Sequence, residues 1–241
     1  MSLAGEIGPM GWARMRMGAL GDLLSLDFSD PGATLSGGSF ASLPNRGKLG
    51  GSFTQTSTAR PTTGTQNGRV CAVTNGSQRL VWSLPAADAQ WFHGSLSNYL
   101  VSFCVIPTTI GGTANIILSN YPGSGVGADV RILPTGAVRY QAASSSVVGA
   151  AGAAVVNVPI IGQVQKVGNA ITIHIDNAAY AAGTMTFPTP GPSAYTFHTG
   201  YVTAGAYGLQ GRYCEVRVTD GVVSSTNRAA IYASLAAKWI P

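Results

Sequence analysis

Short apolar or alternating segments, separated by turn-forming residues, recur along most of the chain. The clearest cover 99–106, 115–119, 129–133 and 137–141, and each is rich in β-branched or aromatic residues. Proline and glycine bound them, as in Pro134-Thr-Gly136. This pattern predicts a meander of antiparallel strands.

Two further segments extend this pattern. The segments 163–167 and 170–177 flank Gly168-Asn169, a pair that favours a tight hairpin turn. Between the two groups, 142–154 contains only alanine, serine, glycine and valine. The sequence predicts a hairpin for the first feature and a long surface loop for the second.

The C-terminal end predicts one strand, one turn and one helix. Polar and apolar residues alternate over 213–219, which is typical of a strand with one apolar face, and Asp220-Gly221 follows as a turn. Ser225 or Thr226 is the predicted cap of a helix over 225–239. Its apolar residues recur at helical spacing: Ile231, Tyr232, Leu235, Ala236 and Trp239.

A last strand followed by a short helix ending in Ala-Ala-Lys-Trp239 resembles the closing element of concanavalin A-like, laminin-G-like lectin domains. The strand over 170–177, with its Asp176-Asn177 turn, is similar to the central strand of that family. The resemblance runs through 170–240. It implies an all-β, two-sheet antiparallel jelly-roll sandwich (concanavalin A-like) with a short C-terminal helix, spanning 23–241. The composition of residues 1–22 predicts that they form a separate N-terminal arm.

The proposed arm is interrupted by glycines and carries four bulky apolar residues. We expect it to pack on its own domain or on a neighbouring protein, and both alternatives stay open. Asp22 and Asp27 interrupt the apolar run that follows, so no export signal is expected. The predicted partner-binding residues of the arm are Met10, Trp12, Met15 and Met17.

Composition narrows the set of partners. Charged residues make up 10% of the chain, against about 25% in an ordinary soluble domain. Such a neutral surface favours burial within an assembly, such as a homo-oligomer. The net charge of +5 comes from scattered basic residues, which argues against nucleic acid as a partner. No apolar run is long enough to predict a membrane span.

Catalysis is not expected. Glycosidases need two carboxylates that face one sugar, yet only two of the nine acidic residues, Glu6 and Glu215, are glutamates and no paired motif occurs. His93, His174 and His198 are dispersed, so the sequence predicts no catalytic site, no cofactor and no metal centre. Calcium bound by a loop carboxylate such as Asp129 or Asp176 stays open.

Cys71, Cys104 and Cys214 each lie in an apolar strand-like segment. An odd number of cysteines cannot pair completely within one chain. We therefore predict buried free thiols.

The family resemblance leads to two functional predictions. The first is a non-enzymatic bacteriophage virion protein that decorates the capsid through its arm, with the major capsid protein or tail proteins as partners. The alternative is a tail or fibre carbohydrate-binding module that recognises host surface glycans. Trp91 and Tyr121 lie near predicted turns, and we expect them to be exposed there and to stack on a sugar.

Overall fold

The computed structural model describes residues 21–56, 59–94, 97–111, 115–121, 126–187, 196–200 and 208–241. This part of the chain forms antiparallel strands, a 3-10 helix over Ala86–His93 and one α-helix, α1 (Ser225–Trp239). The strands are β1 (Asp22–Asp27), β2 (Thr34–Ser36), β3 (Ser39–Pro44), β4 (Ser52–Thr54), β5 (Thr62–Gln66), β6 (Arg69–Asn75), β7 (Arg79–Trp82), β8 (Tyr99–Pro107), β9 (Asn115–Ser119), β10 (Ala128–Ile132), β11 (Val138–Ala142), β12 (Ser145–Val148), β13 (Ile160–Val167), β14 (Ala170–Ile175), β15 (Ala178–Thr184), β16 (His198–Gly200) and β17 (Gln210–Asp220).

Strand pairing separates these strands into two layers. The back sheet has the order β15-β14-β13-β8-β17. The edge of β17 opposite β8 pairs with β6 along its first part and with β1 along its second part. β5 pairs with the other edge of β6. The front sheet has the order β12-β11-β10-β9-β16-β7-β4-β3-β2. A Ser39–Thr62 pairing joins the two sheets. The predicted all-β jelly-roll sandwich with a short C-terminal helix is confirmed.

The core lies between the two sheets and is built mainly by alternating residues on the strands. On β8, Val101 and Phe103 enter the core, and Val130 and Tyr140 meet them from the front sheet. Each such side chain contributes about 1.5–3 kcal/mol of burial energy. Gly162 on β13 leaves room for Phe103, because a Cβ there would lie 2.0 Å from the Phe103 Cζ atom.

Helix α1 covers part of the outer face of the back sheet. Leu235 and Trp239 are fully buried in a second apolar cluster together with the three cysteines. The cysteines are buried and free, as predicted. The helix cap is Ser224, whose Oγ accepts a hydrogen bond from the Asn227 backbone N–H at 3.2 Å. The prediction of Ser225 or Thr226 as the cap is therefore wrong, because both residues are already within the helix.

A charged group, which we call the Glu215 cluster, fixes α1 to β17. It comprises Asp27, Glu215, Arg217, Lys238 and Trp239. Glu215 Oε2 accepts hydrogen bonds from Lys238 Nζ at 2.9 Å and from Trp239 Nε1 at 3.0 Å. Arg217 Nε donates to the other Glu215 oxygen, and Lys238 also reaches Asp27. Two carboxylates are thus balanced by two cations.

The middle of the chain confirms one prediction and corrects another. β13 and β14 form the predicted hairpin, with Val167 opposite Ala170. The segment 142–154 is not a continuous loop, because β12 pairs with β11 through its own cross-strand register. Ala143 adopts a positive φ of 49° in the turn between them. The sequence did not reveal this short strand, because its two valines lie in a segment that is otherwise alanine, serine and glycine, residues with little strand propensity.

Candidate functional site

A row of polar side chains crosses the outer face of the front sheet. Ser119 on β9 lies opposite Asp129 on β10, which lies opposite Gln141 on β11, and Gln141 lies opposite Ser146 on β12. The sequence neighbours of Asp129 and Gln141 on each strand enter the core. Because side chains alternate between the two faces of a strand, this row projects away from the core.

Two arginines form the next row on the same face. Arg131 on β10 lies directly opposite Arg139 on β11, and Arg139 in turn lies opposite Val148 on β12. Directly opposed side chains have Cβ atoms about 4.5–5.5 Å apart, and like charges in such positions repel each other. Val148 is 44% exposed and provides an apolar surface beside them.

Asp129 is held by one of these arginines. Arg131 Nε donates to Asp129 Oδ1 at 2.6 Å, and Arg131 Nη2 contacts Oδ2. The Asp129 side chain is fully buried, and this burial raises the pKa of the carboxyl group despite the two neighbouring arginines. The bidentate contact uses both carboxylate oxygens for Arg131.

Arg139 lacks such a partner. Its Nε is buried and has no hydrogen-bond partner in the part of the chain that the structure describes. Burial and the charge of Arg131 lower the pKa of Arg139. With Asp129 engaged by Arg131, these three residues leave one positive charge without an ion-pair partner on this face. We call Asp129, Arg131, Arg139, Gln141 and Val148 the front-sheet site.

The two aromatic residues predicted to stack on a sugar are both buried. Trp91 is 8% exposed, because the 3-10 helix turns it into the core against Phe92, Tyr99 and Phe197. Tyr121 is 9% exposed and follows β9, where its backbone N–H donates to Ser119 Oγ at 2.9 Å. The prediction that these rings are exposed is therefore wrong, although Tyr121 lies close enough to influence the pKa of Arg139.

The remaining predicted residues lie elsewhere. Asp176 occupies the turn before β15 at a positive φ of 48°, and its side chain accepts a hydrogen bond from the Ile161 backbone N–H at 3.3 Å. Asp129 lies on β10 of the front sheet, where it binds Arg131, whereas Asp176 lies between β14 and β15 of the back sheet. The two calcium candidates are therefore not brought together. No group of three or more histidine, cysteine or acidic residues that could hold a metal occurs in the described ranges. The arm residues Met10, Trp12, Met15 and Met17 lie outside the described residues.

Sequence reasoning missed Arg131 and Arg139, although a signal was present. Each arginine alternates with apolar residues, in Val130-Arg-Ile132 and Val138-Arg-Tyr140. Alternation alone places both side chains on the outer face. The Pro134-Thr-Gly136 turn then brings them opposite each other, so a hairpin register would have identified the pair.

Comparison by sequence found no relatives. No family model matches the chain, and no curated protein matches it.

The described segments contain no helix with both the length and the apolar character that crossing a membrane requires.

Several solved structures share the architecture at very low sequence identity. The receptor-binding domain of botulinum neurotoxin type G matches with a TM-score of 0.62 and 9% identity over 88% of this chain and 51% of that one. Domain 4 of AbnA, an extracellular arabinanase of Geobacillus stearothermophilus solved with arabinotriose, matches with a TM-score of 0.58 and 15% identity over 89% and 100%. Trypanosoma rangeli sialidase with 2,3-difluorosialic acid matches with a TM-score of 0.61 and 10% identity over 92% and 34%.

This chain therefore spans about half of the neurotoxin domain, about a third of the sialidase and the whole of the arabinanase domain. At these identities the similarity is one of fold. The chain is similar to these all-β domains in architecture.

Proposed function

We propose that this protein is a non-catalytic carbohydrate-binding domain and that sugars bind at the front-sheet site. The observation that carries the proposal is the juxtaposition of Arg139, Gln141 and exposed Val148 on one outer sheet face. Sugar sites combine hydrogen-bonding groups for hydroxyls with apolar surface for the C–H face of the ring. Neighbours of this fold include an arabinanase domain solved with arabinotriose and a neurotoxin receptor-binding domain.

The arrangement of buried carboxylates favours binding over hydrolysis. Glycosidases place two carboxyl groups about 5–9.5 Å apart around one bond. Here Asp129 lies on the outer face of the front sheet, whereas Glu215 lies on the outer face of the back sheet. The backbones of two packed sheets are about 10 Å apart, and side chains on the two outer faces point away from each other. These two carboxylates therefore cannot act on one sugar. Each is also engaged by an arginine two residues further along its strand. Asp27 does lie near Glu215, but both carboxylates are bound by Lys238 in the Glu215 cluster.

The proposal is tested by blocking the face. Ser146 is exposed at the end of the polar row, so Ser146→Trp should cover the site without entering the core. Ser36→Trp on β2, at the far edge of the same sheet, is the matched control because Ser36 is also exposed. We expect wild type and Ser36→Trp to bind the same glycans on an array and Ser146→Trp to bind none of them. Equal binding by all three chains, or by none, would overturn the proposal.

Attachment to a phage particle is a second proposal, which the low charged fraction of 10% favours. It assigns the protein to the virion, with capsid or tail proteins as partners and residues 1–20 as the main contact. None of the comparisons points to it. Cosedimentation with purified particles should be lost on deletion of residues 1–20 while the domain stays folded, and unchanged occupancy would reject this role.

A further inference from the structure

We infer that Arg139, positioned beside the Asp129–Arg131 pair, binds the carboxylate of an acidic sugar. The inference rests on the proposed function and narrows it to carboxylated glycans. Sialic acids and uronic acids share this chemistry, because both carry a carboxylate directly on the sugar ring. Titration with one sugar of each kind separates these two sources.

The charges on this face favour an anionic ligand. Two arginines face each other across β10 and β11, and Asp129 forms its ion pair with Arg131. Its two oxygens are taken by Nε and Nη2 of Arg131. A single bound carboxylate would therefore neutralise the excess positive charge on this face and relieve the repulsion between Arg131 and Arg139.

The shape of the guanidinium suits a carboxylate. Arg139 is half-buried and its Nε is enclosed by the protein, so a ligand from outside meets the two terminal nitrogens. A planar guanidinium presents two nitrogens as a fork that matches the two oxygens of a carboxylate. A carboxylate bound there would give Arg139 the ion-pair partner that it lacks in the described part of the chain.

The residues beside Arg139 suit the rest of a sugar acid. Gln141 follows on the same outer face of β11, with the exposed Ser146 directly opposite. Val148, directly opposite Arg139, is 44% exposed and can pack against the C–H face of a ring. The surroundings of Arg139 therefore suit a sugar acid better than an isolated inorganic anion, which has no apolar face.

The experiment is a calorimetric titration of the full chain with sialyllactose, trigalacturonate and neutral lactose. We expect wild type to bind one of the two carboxylated sugars and to bind lactose much more weakly. Arg139→Gln should weaken this binding about tenfold or more, because a hydrogen bond to a charged group is lost. Arg139→Lys should restore only part of the affinity, since lysine keeps the charge but not the fork.

Arg69→Gln is the matched control, because Arg69 is an exposed arginine at the start of β6 in the back sheet. It should bind like wild type, and circular dichroism checks that each variant is folded. Binding of neutral sugars that is unaffected by Arg139→Gln would overturn this inference and leave the proposed function standing. Absence of binding to any glycan, on the array as well as in solution, would overturn both.

Discussion

The outer faces of the two sheets carry the same local motif with different surroundings. On β17 a buried Glu215 is followed two residues later by Arg217, and on β10 a buried Asp129 is followed two residues later by Arg131. Each acid is at most 1% exposed in its side chain and is contacted by its arginine. The two motifs differ in the other charged side chains that lie beside the acid–arginine pair.

On the back sheet the charges balance. Lys238 and Trp239 from α1 donate to Glu215, and Asp27 supplies a second carboxylate. On the front sheet the additional group is Arg139, which increases the positive charge instead of cancelling it. The difference indicates that the Glu215 cluster holds the helix in place, whereas for the front-sheet site we propose that an anion from outside the chain balances the charge.

The largest effect is expected where the helix is anchored. Trp239→Ala removes a fully buried indole and its hydrogen bond to Glu215. We expect the free energy of unfolding to fall by about 3–5 kcal/mol. Urea denaturation measures this loss, and a change below about 1 kcal/mol would show that the helix contributes little to the fold.

Breaking the charge balance of the Glu215 cluster should come next. Glu215→Gln leaves Arg217 and Lys238 with Asp27 as their remaining carboxylate in the cluster. We expect a loss of about 2–3 kcal/mol, because hydrogen bonds to a charged group are replaced by weaker ones while both cations retain some contact with solvent. Unfolding should also begin at a lower denaturant concentration without a change in slope. Wild-type stability in this variant would contradict the assigned role.

A fully buried lysine, Lys166, allows a test by pH. Lys166 Nζ donates to the carbonyl oxygens of Ser97 at 2.7 Å and Gly168 at 2.8 Å, and it lies 4.4 Å from the centre of the Phe187 ring. Burial lowers the pKa of Lys166 to about 8 from its usual value of 10.5. Between these two pH values the unfolded chain therefore binds the proton more strongly than the folded chain.

The stability of wild type relative to Lys166→Met should consequently increase as pH rises from about 8 towards 10.5. The slope is at most about 1.4 kcal/mol per pH unit for one proton. Denaturation of both chains at several pH values isolates this contribution, because titrations of the cysteines and tyrosines are common to both. Parallel curves would contradict the lowered pKa.

The smallest effect on stability is expected at the front-sheet site. Arg139→Gln removes a side chain whose Nε makes no hydrogen bond within the described part of the chain, and it relieves repulsion with Arg131. We expect the free energy of unfolding to change by no more than about 0.5 kcal/mol. A loss of stability comparable with that of Glu215→Gln would assign Arg139 a structural role. The outer faces of the two sheets would then not differ in function as described here.

The sequence revealed the fold better than the site, for a physical reason. Alternation on β17 and helical spacing after Ser224 are local patterns, and they predicted the closing strand and helix correctly. The site depends on the register between β10 and β11 and on which side chains remain unpaired. Trp91 shows the limit of local reasoning. Its position near a turn suggested exposure, whereas its ring is buried against other aromatic side chains of the core.

The most direct test of the contrast is to follow the arginine Nε–H signals of the ¹⁵N-labelled protein by NMR while adding sialyllactose or trigalacturonate. Arg139→Gln and Arg217→Gln would assign the two signals of interest. We predict that one of these sugars shifts the Arg139 signal and leaves the Arg217 signal, which already has an acceptor in Glu215, in place. An unmoved Arg139 signal with both sugars, or equal shifts at the two arginines, would contradict the account.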